Sequence, residues 1–338
     1  MRLENVLALT YGELVNTPFV SSFNNIVFDI KDLKRGDLFI AFNEIDIETA
    51  VFNGAYGIIF SRATQISDTE IAWIKVTSLD DALKRLLRFR LIDREIHAYK
   101  TDEIVLKLAL QVITQSNFIA IHGTIREIAR DLWSVEKGTH ILFCPTLHTE
   151  ELFTKVIELS KKSFTHVNII EQTLFETSFI YDNIFYERQQ LSPFFIPYLE
   201  ILLNLFKNNN IPYRLRKFTP IDHFEAVFTN KKFEIKEFGT SDRVLIFEKM
   251  SSLVDSEILF LQQEASWAKI IYLIPARERS LLSKFVDQTR VIIYNNEDDI
   301  LNLLKKKSFH FALLIGVTKE ILQKPLFNQR EVSLFDFN

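Results

Sequence analysis

The sequence predicts an α/β protein, on three observations. Short apolar runs rich in Ile, Val and Phe alternate with amphipathic stretches of helical period, the pattern of βα units with mostly parallel strands. In the last hundred residues this alternation recurs at intervals of roughly 20–25 residues, as in a doubly wound sheet. The 338 residues, 47% of them hydrophobic, exceed what one core holds, because single cores stop growing near about 250–300 residues. Two or three cores are therefore expected.

Along the first block, strands are predicted at 26–28, 38–42, 57–60 and 72–76, with helices over 47–53 and from Ser78. The helix from Ser78 carries its own start signal: the serine hydroxyl suits an unpaired N–H, Asp80 and Asp81 suit the positive pole, and Leu83, Leu86, Leu87 and Leu91 continue one face. The second block reads as a helix capped near Thr101, a strand over 118–122, a turn at Gly123-Thr124, a helix over 125–133, a strand over 141–144, a helix over 150–159 and a strand over 167–170. Past Glu171 the pattern blurs. A helix over 191–206 is stopped by Asn208-Asn209-Asn210-Ile211-Pro212, and 224–228 with 231–236 reads as a hairpin turning at Thr229-Asn230. In the third block, strands over 244–247, 269–274, 290–294 and 309–315 alternate with helices near 253–266, 277–287, 297–306 and 318–323. The expected domains are 1–98, 99–238 and 239–338.

Composition narrows the function classes. A net charge of −4 gives no overall electrostatic reason to bind nucleic acid or anionic lipid. With only eight glycines there is no G-x-G-x-x-G and no G-x-x-x-x-G-K, so the local phosphate-binding fingerprints are absent. No apolar run approaches the ~20 residues of a spanning helix, and the start Met1-Arg2-Leu3-Glu4-Asn5 is unlike a signal peptide. A cytoplasmic protein without membrane insertion is expected. The single cysteine, Cys144, excludes an internal disulfide, and its place after Ile141-Leu142-Phe143 predicts a buried structural thiol.

The run Lys34-Arg35-Gly36-Asp37-Leu38-Phe39-Ile40-Ala41-Phe42 is preceded by Val27-Phe28-Asp29 and followed by Asn53-Gly54-Ala55-Tyr56-Gly57-Ile58-Ile59, Val76 and Asp80-Asp81-Ala82-Leu83. In these residues the chain resembles the N-terminal domain of the Mur ligases, of the type that adds D-alanyl-D-alanine to UDP-N-acetylmuramoyl-tripeptide. The order of the three blocks is also similar to the family plan. That plan has a uridine-nucleotide domain, a central P-loop ATPase domain, and a C-terminal Rossmann-like domain that receives the incoming amino acid or peptide. The resemblance implies a three-domain α/β arrangement and an ATP- and magnesium-dependent amide ligase acting through an acyl-phosphate. It also implies a nucleotide-sugar site around Asp29, Lys31, Gly36 and Asp37.

The chain departs from the family where the chemistry is done. The family's Gly-Thr-x-Gly-Lys-Thr/Ser is matched by Gly123-Thr124-Ile125-Arg126-Glu127-Ile128. Arg126 stands at the second glycine, Glu127 at the lysine and Ile128 at the magnesium-binding hydroxyl. At an effective dielectric near 20, a unit-charge pair at ~4 Å is worth about 4 kcal/mol, so the Lys-to-Glu exchange turns attraction for phosphate into repulsion of similar size. The family's Asp-Ser-Arg is Asp29-Ile30-Lys31 here, and its Asp-Gly-His is Asp46-Ile47-Glu48. Glu171 is the one match for a magnesium-binding glutamate, with plain solvation as its alternative. The family's central histidine and carbamylated lysine have no counterpart, and the stretch after 172 is too short for a full central domain. After the first strand of the third block stands Glu248-Lys249-Met250-Ser251-Ser252 in place of the family's functional segment.

Other constellations are weak. His122, His140, His148 and His166 lack metal-ligand spacing, Ser251 and Ser252 lack a nucleophile elbow, and Lys305-Lys306-Lys307 suits a helix C-terminus. The aromatics Phe179, Tyr181, Phe185, Tyr186, Phe194, Phe195 and Tyr198 read as cover for their own core, or as a partner surface if truncation exposes it. The expectation is a Mur-ligase-like pseudoenzyme of peptidoglycan metabolism with no cofactor, binding precursors or cell-wall enzymes. A divergent active ligase and a structural interaction protein are the alternatives.

Overall fold

Leu38, Ile40, Ile59 and Ile74 enter one apolar cluster, while Phe39, Ile58, Phe60 and Trp73 enter another, so the strands that carry them are buried on both faces. These strands form the first sheet of the computed structural model, which describes residues 1–62, 64–115, 117–159, 167–238, 240–284 and 287–323. The elements are α1 (Leu3–Thr10), β1 (Glu13–Leu14), β2 (Ile26–Val27), β3 (Leu38–Ile40), α2 (Asp46–Phe52), β4 (Gly57–Phe60), β5 (Ala72–Lys75) and α3 (Leu79–Leu91). Their order is β1-β5-β4-β3-β2, parallel except for β1. Trp73, wholly buried, donates its Nε1 proton to the Asp68 carbonyl at 2.6 Å, which satisfies the one polar group of the indole. The cap at Ser78 forms as expected, its hydroxyl accepting from Asp81 N–H at 3.2 Å.

The next elements are β6 (His97–Lys100), α4 (Glu103–Ala109), β7 (Ile113–Thr114), β8 (Phe118–Ile121), α5 (Ile125–Leu132), β9 (His140–Phe143) and β10 (Val156–Glu158), of which β6, β8, β9 and β10 form a second parallel sheet. Its order is β10-β6-β9-β8. Ile125, Ile128 and Leu132 of α5 share one core with Leu83, Leu86 and Leu87 of α3, joining both sheets into a single apolar body. One expectation fails here, and one strand was unforeseen. No helix occupies 150–159, because Val156 and Ile157 pair with Ala98 and Tyr99 as a β-branched edge strand. Thr149 Oγ1 meanwhile takes the Thr146 N–H and donates to the Cys144 carbonyl in the preceding turn. Strand β6, which runs through the expected boundary at residue 98, was not predicted.

The chain next forms β11 (Asn168–Gln172), β12 (Thr177–Tyr181) and β13 (Ile184–Gln189), an antiparallel sheet in that order, so the strand predicted over 167–170 is not part of a parallel sheet. A 3-10 turn at Pro193–Phe195 leads into α6 (Ile196–Asn208), and β14 (Tyr213–Arg214) pairs antiparallel with β7. The remaining elements are β15 (Glu225–Thr229), β16 (Arg243–Glu248), α7 (Val254–Glu264), β17 (Ile270–Pro275), β18 (Val291–Tyr294), α8 (Ile300–Lys305) and β19 (Phe311–Ile315). They make the sheet β15-β16-β19-β17-β18, parallel except for β15. Leu245, Phe247, Leu273, Ala312, Leu314, Ile300 and Leu304 form its core.

The predicted hairpin is replaced by pairing of β15 with β16, leaving only the bridge Thr229 to Ile235. The Asn230 side chain accepts from the N–H groups of Lys232 and Glu234 instead of supporting a two-residue turn. The helices expected near 277–287 and 318–323 are 3-10 turns over Ala276–Lys284 and Lys319–Leu322. The described residues of Met1–Lys161 and Ile201–Arg214 make one compact unit, and those of Lys162–Glu200 and Leu215–Asn338 make a second. His166 and Gly239 lie outside the described residues.

Candidate functional site

The decisive turn lies between β8 and α5. Gly123 has φ +88°, a left-handed conformation, and a Cβ there would sit 2.4 Å from Glu127 Oε2. Thr124 caps α5: its N–H donates to Glu127 Oε2 at 2.8 Å, its hydroxyl donates to the same oxygen at 2.9 Å, and the Glu127 N–H donates back to Thr124 Oγ1 at 3.4 Å. This is a full capping box, in which two unpaired donors of the helix start are satisfied by its own side chains. The hydrogen bonds from Thr124, with lesser help from His122 and Arg130, hold the Glu127 carboxyl below the usual carboxylate range. Arg126 turns elsewhere, its guanidinium 4.5 Å from the ring centre of Phe42. Ile128, at the position of the family's metal-binding hydroxyl, is fully buried.

Asp29, Gly36 and Asp37 make local contacts, and Lys31 joins them through its N–H alone. The Asp29 carboxylate accepts from Lys31 N–H at 3.1 Å and caps a 3-10 turn over Ile30–Asp32. Asp37, 2% exposed, accepts from Asn25 N–H at 3.0 Å, Asn25 Nδ2 at 3.3 Å and Lys34 N–H at 3.0 Å. It therefore ties the strand starts together. Gly36 has φ +93° and donates its N–H to the Gly54 carbonyl, where a Cβ would strike Asn24. Asp46 and Ile47 open α2 beside a cavity of about 500 Å3 at the carboxyl ends of β3 and β4, lined by Asn43, Glu44, Ser61, Arg62, Ser78 and Asp80 among others. Open α/β sheets bind ligands at this end of their strands.

Glu171 is exposed on β11 of the antiparallel sheet. Cys144 is only partly covered rather than buried, and its thiol is pushed up by burial and by Glu103 and Asp102 nearby. His140 stacks on His97 at 4.8 Å and lies 3.1 Å from Tyr99 Oη; burial and His97 lower its pKa. Of the aromatic stretch, Phe179, Tyr181, Phe194, Phe195 and Tyr198 are buried and Phe185 is exposed.

Sequence reasoning missed a buried cluster in the second unit. His223, Glu248 and Glu257 are each 0% exposed; Glu248 accepts from His223 Nδ1 at 2.9 Å, Phe224 N–H at 3.1 Å and Met250 N–H at 2.6 Å. The Glu257 carboxyl oxygens have no hydrogen-bond partner within 3.5 Å among the described residues, and burial together with the Glu248 charge raises the pKa well above the usual carboxylate range. Glu248 at the end of an apolar strand was visible in the sequence; its two partners carried no signal.

No family model matches the sequence, and no curated protein matches it. Among solved structures, MurF from Acinetobacter baumannii superposes with a TM-score of 0.51 at 10% identity, covering 96% of this chain and 98% of that one. The fold is Mur ligase-like. A structure of the UDP-N-acetylmuramoylalanyl-D-glutamyl-2,6-diaminopimelate–D-alanyl-D-alanyl ligase from the same organism gives 0.48 at 10% identity, covering 96% and 98%. MurF ligase from Thermotoga maritima in complex with ADP gives 0.46 at 12%, covering 88% and 95%. Among the described residues, no helix is long and apolar enough to cross a membrane.

Proposed function

We propose that this chain is a cytoplasmic Mur ligase-like protein of peptidoglycan metabolism that acts by binding and does not perform ATP-dependent ligation. One observation carries this: the Glu127 carboxylate already sits on the Thr124 N–H and hydroxyl, beside Gly123, where a phosphate oxygen would have to approach the start of α5. A nucleotide phosphate would compete with it for the same donors while carrying the same sign of charge. The buried Ile128 offers no oxygen to magnesium. The residues present therefore do not fit a magnesium nucleotide in the family's manner, and no transfer step is assigned to them. The polar cavity of about 500 Å3 at the carboxyl ends of β3 and β4 supports retention of a peptidoglycan precursor of the nucleotide-sugar class. A cell-wall enzyme is the other class of partner.

Calorimetry on the full chain separates the readings. Magnesium-ATP is expected to give no saturable heat, and UDP-N-acetylmuramoyl-tripeptide is expected to bind. Phosphate release that depends on this precursor and D-alanyl-D-alanine would establish an active ligase instead. Capture of a cell-wall enzyme without precursor affinity would favour an interaction protein. Glu127→Lys alone is expected to restore no activity, because Arg126 stands where the loop needs its second glycine.

A further inference from the structure

A second cavity of the first unit, about 260 Å3, lies along β2, the turn that follows it, and α3 and α5, and it shares no lining residue with the 500 Å3 cavity. Its walls combine three chemistries. Phe28 and Trp133 meet edge to face at 5.5 Å and, with Ile26 and Val27, supply an apolar side. Arg90, Arg130 and Lys34 supply cations. Arg90 is held in place by its Nε donating to the Trp133 carbonyl and by its guanidinium lying 5.2 Å from the indole centre. The side chains of Arg130 and Lys34 have no hydrogen bond or close ion pair among the described residues, and Arg130 acts on Glu127 only through its charge, less than the Thr124 hydrogen bonds do. Asp29, Asp32 and Asp37 supply acids. Asp37 is saturated by its three N–H donors, whereas Asp29 uses one oxygen on Lys31 N–H and the Asp32 carboxylate has no partner among the described residues.

Three cations and three acids thus line one cavity, and among the described residues no ion pair joins any of them. The two arginines stand on the helices and the two available acids on the turn after β2, so their separation is built into the secondary structure. A ligand carrying both charges satisfies both sets. A lone anion would answer the arginines and leave the acids beside it. The volume falls below the ~300–1,000 Å3 usual for drug-sized ligands and suits a smaller molecule.

We propose that this cavity binds a small zwitterion with an apolar side chain, a free α-amino acid of the phenylalanine or leucine class. The carboxylate pairs with Arg90 and Arg130, whose planar guanidinium groups suit bidentate contact, the ammonium pairs with Asp29 and Asp32, and the side chain lies against Phe28 and Trp133.

The test is calorimetric titration of the full chain with L-phenylalanine, N-acetyl-L-phenylalanine, L-phenylalanine amide and inorganic phosphate. Submillimolar binding of phenylalanine is expected, weakened at least tenfold by acetylating the amine or amidating the acid. Arg130→Gln and Asp32→Asn, both at exposed positions, are expected to lose at least tenfold with unchanged melting temperatures. The proposal is overturned if phenylalanine does not bind, or if phosphate or N-acetylphenylalanine binds as well as phenylalanine, which would mark a plain anion site. Binding that both variants leave intact would overturn it as well. None of these outcomes depends on how the chain treats ATP.

Discussion

Gly123 and Glu127 act as one unit: the glycine's left-handed conformation leaves the space that the carboxylate fills. Gly123→Ala forces a Cβ into that space at a backbone position that costs L-residues about 1–2 kcal/mol, and urea denaturation is expected to show a loss of that order. Thr124→Ala removes the cap and is expected to cost ~1 kcal/mol. A different residue-scale effect arises at Glu257. Its pKa rises on folding, so its contribution to stability is complete below the unfolded value of 4.5 and drains away as pH climbs toward the folded value. Glu248 shifts the opposite way through its bond to His223, and its contribution is lost as pH falls below 4.5. Glu257→Gln, which cannot ionise, is expected to flatten the decline of melting temperature above pH 4.5. An unchanged slope would place the decline elsewhere.

Among the elements, α3 and α5 link the two sheets of the first unit, and Leu87 lies fully buried in their shared core. Leu87→Ala is expected to cost about 2–5 kcal/mol, measured by the same denaturation, with the exposed Arg88 as a near-neutral control. Helix α3 was legible because it carries both a periodic apolar face and a start signal at Ser78, and α5 because its apolar face follows the turn at Gly123-Thr124. The strands of the mainly parallel sheets were legible wherever three or more apolar residues ran together. What failed was governed by distant partners. Val156 and Ile157 are strand residues only because β6 stands beside them, and β6 itself, His97-Ala98-Tyr99-Lys100, alternates too briefly to be read alone. Strands β12 and β13 pair across the tight turn at Asp182-Asn183, both residues with positive φ, a conformation that asparagine and aspartate tolerate but do not announce. At the candidate site, the charge reversal at Glu127 was readable, whereas the closure of its carboxylate onto Thr124 required the folded turn.

At the scale of the molecule, the fold is Mur ligase-like, and the turn between β8 and α5 is closed by the Glu127 side chain. Gly36 and Asp37 are each fixed by main-chain hydrogen bonds that tie the starts of the first sheet's strands together. On the proposed function, the scaffold would be kept without the nucleotide chemistry. The most direct test is calorimetric titration of the full chain with magnesium-ATP. The account predicts no saturable heat, and a micromolar or tighter dissociation constant would contradict it.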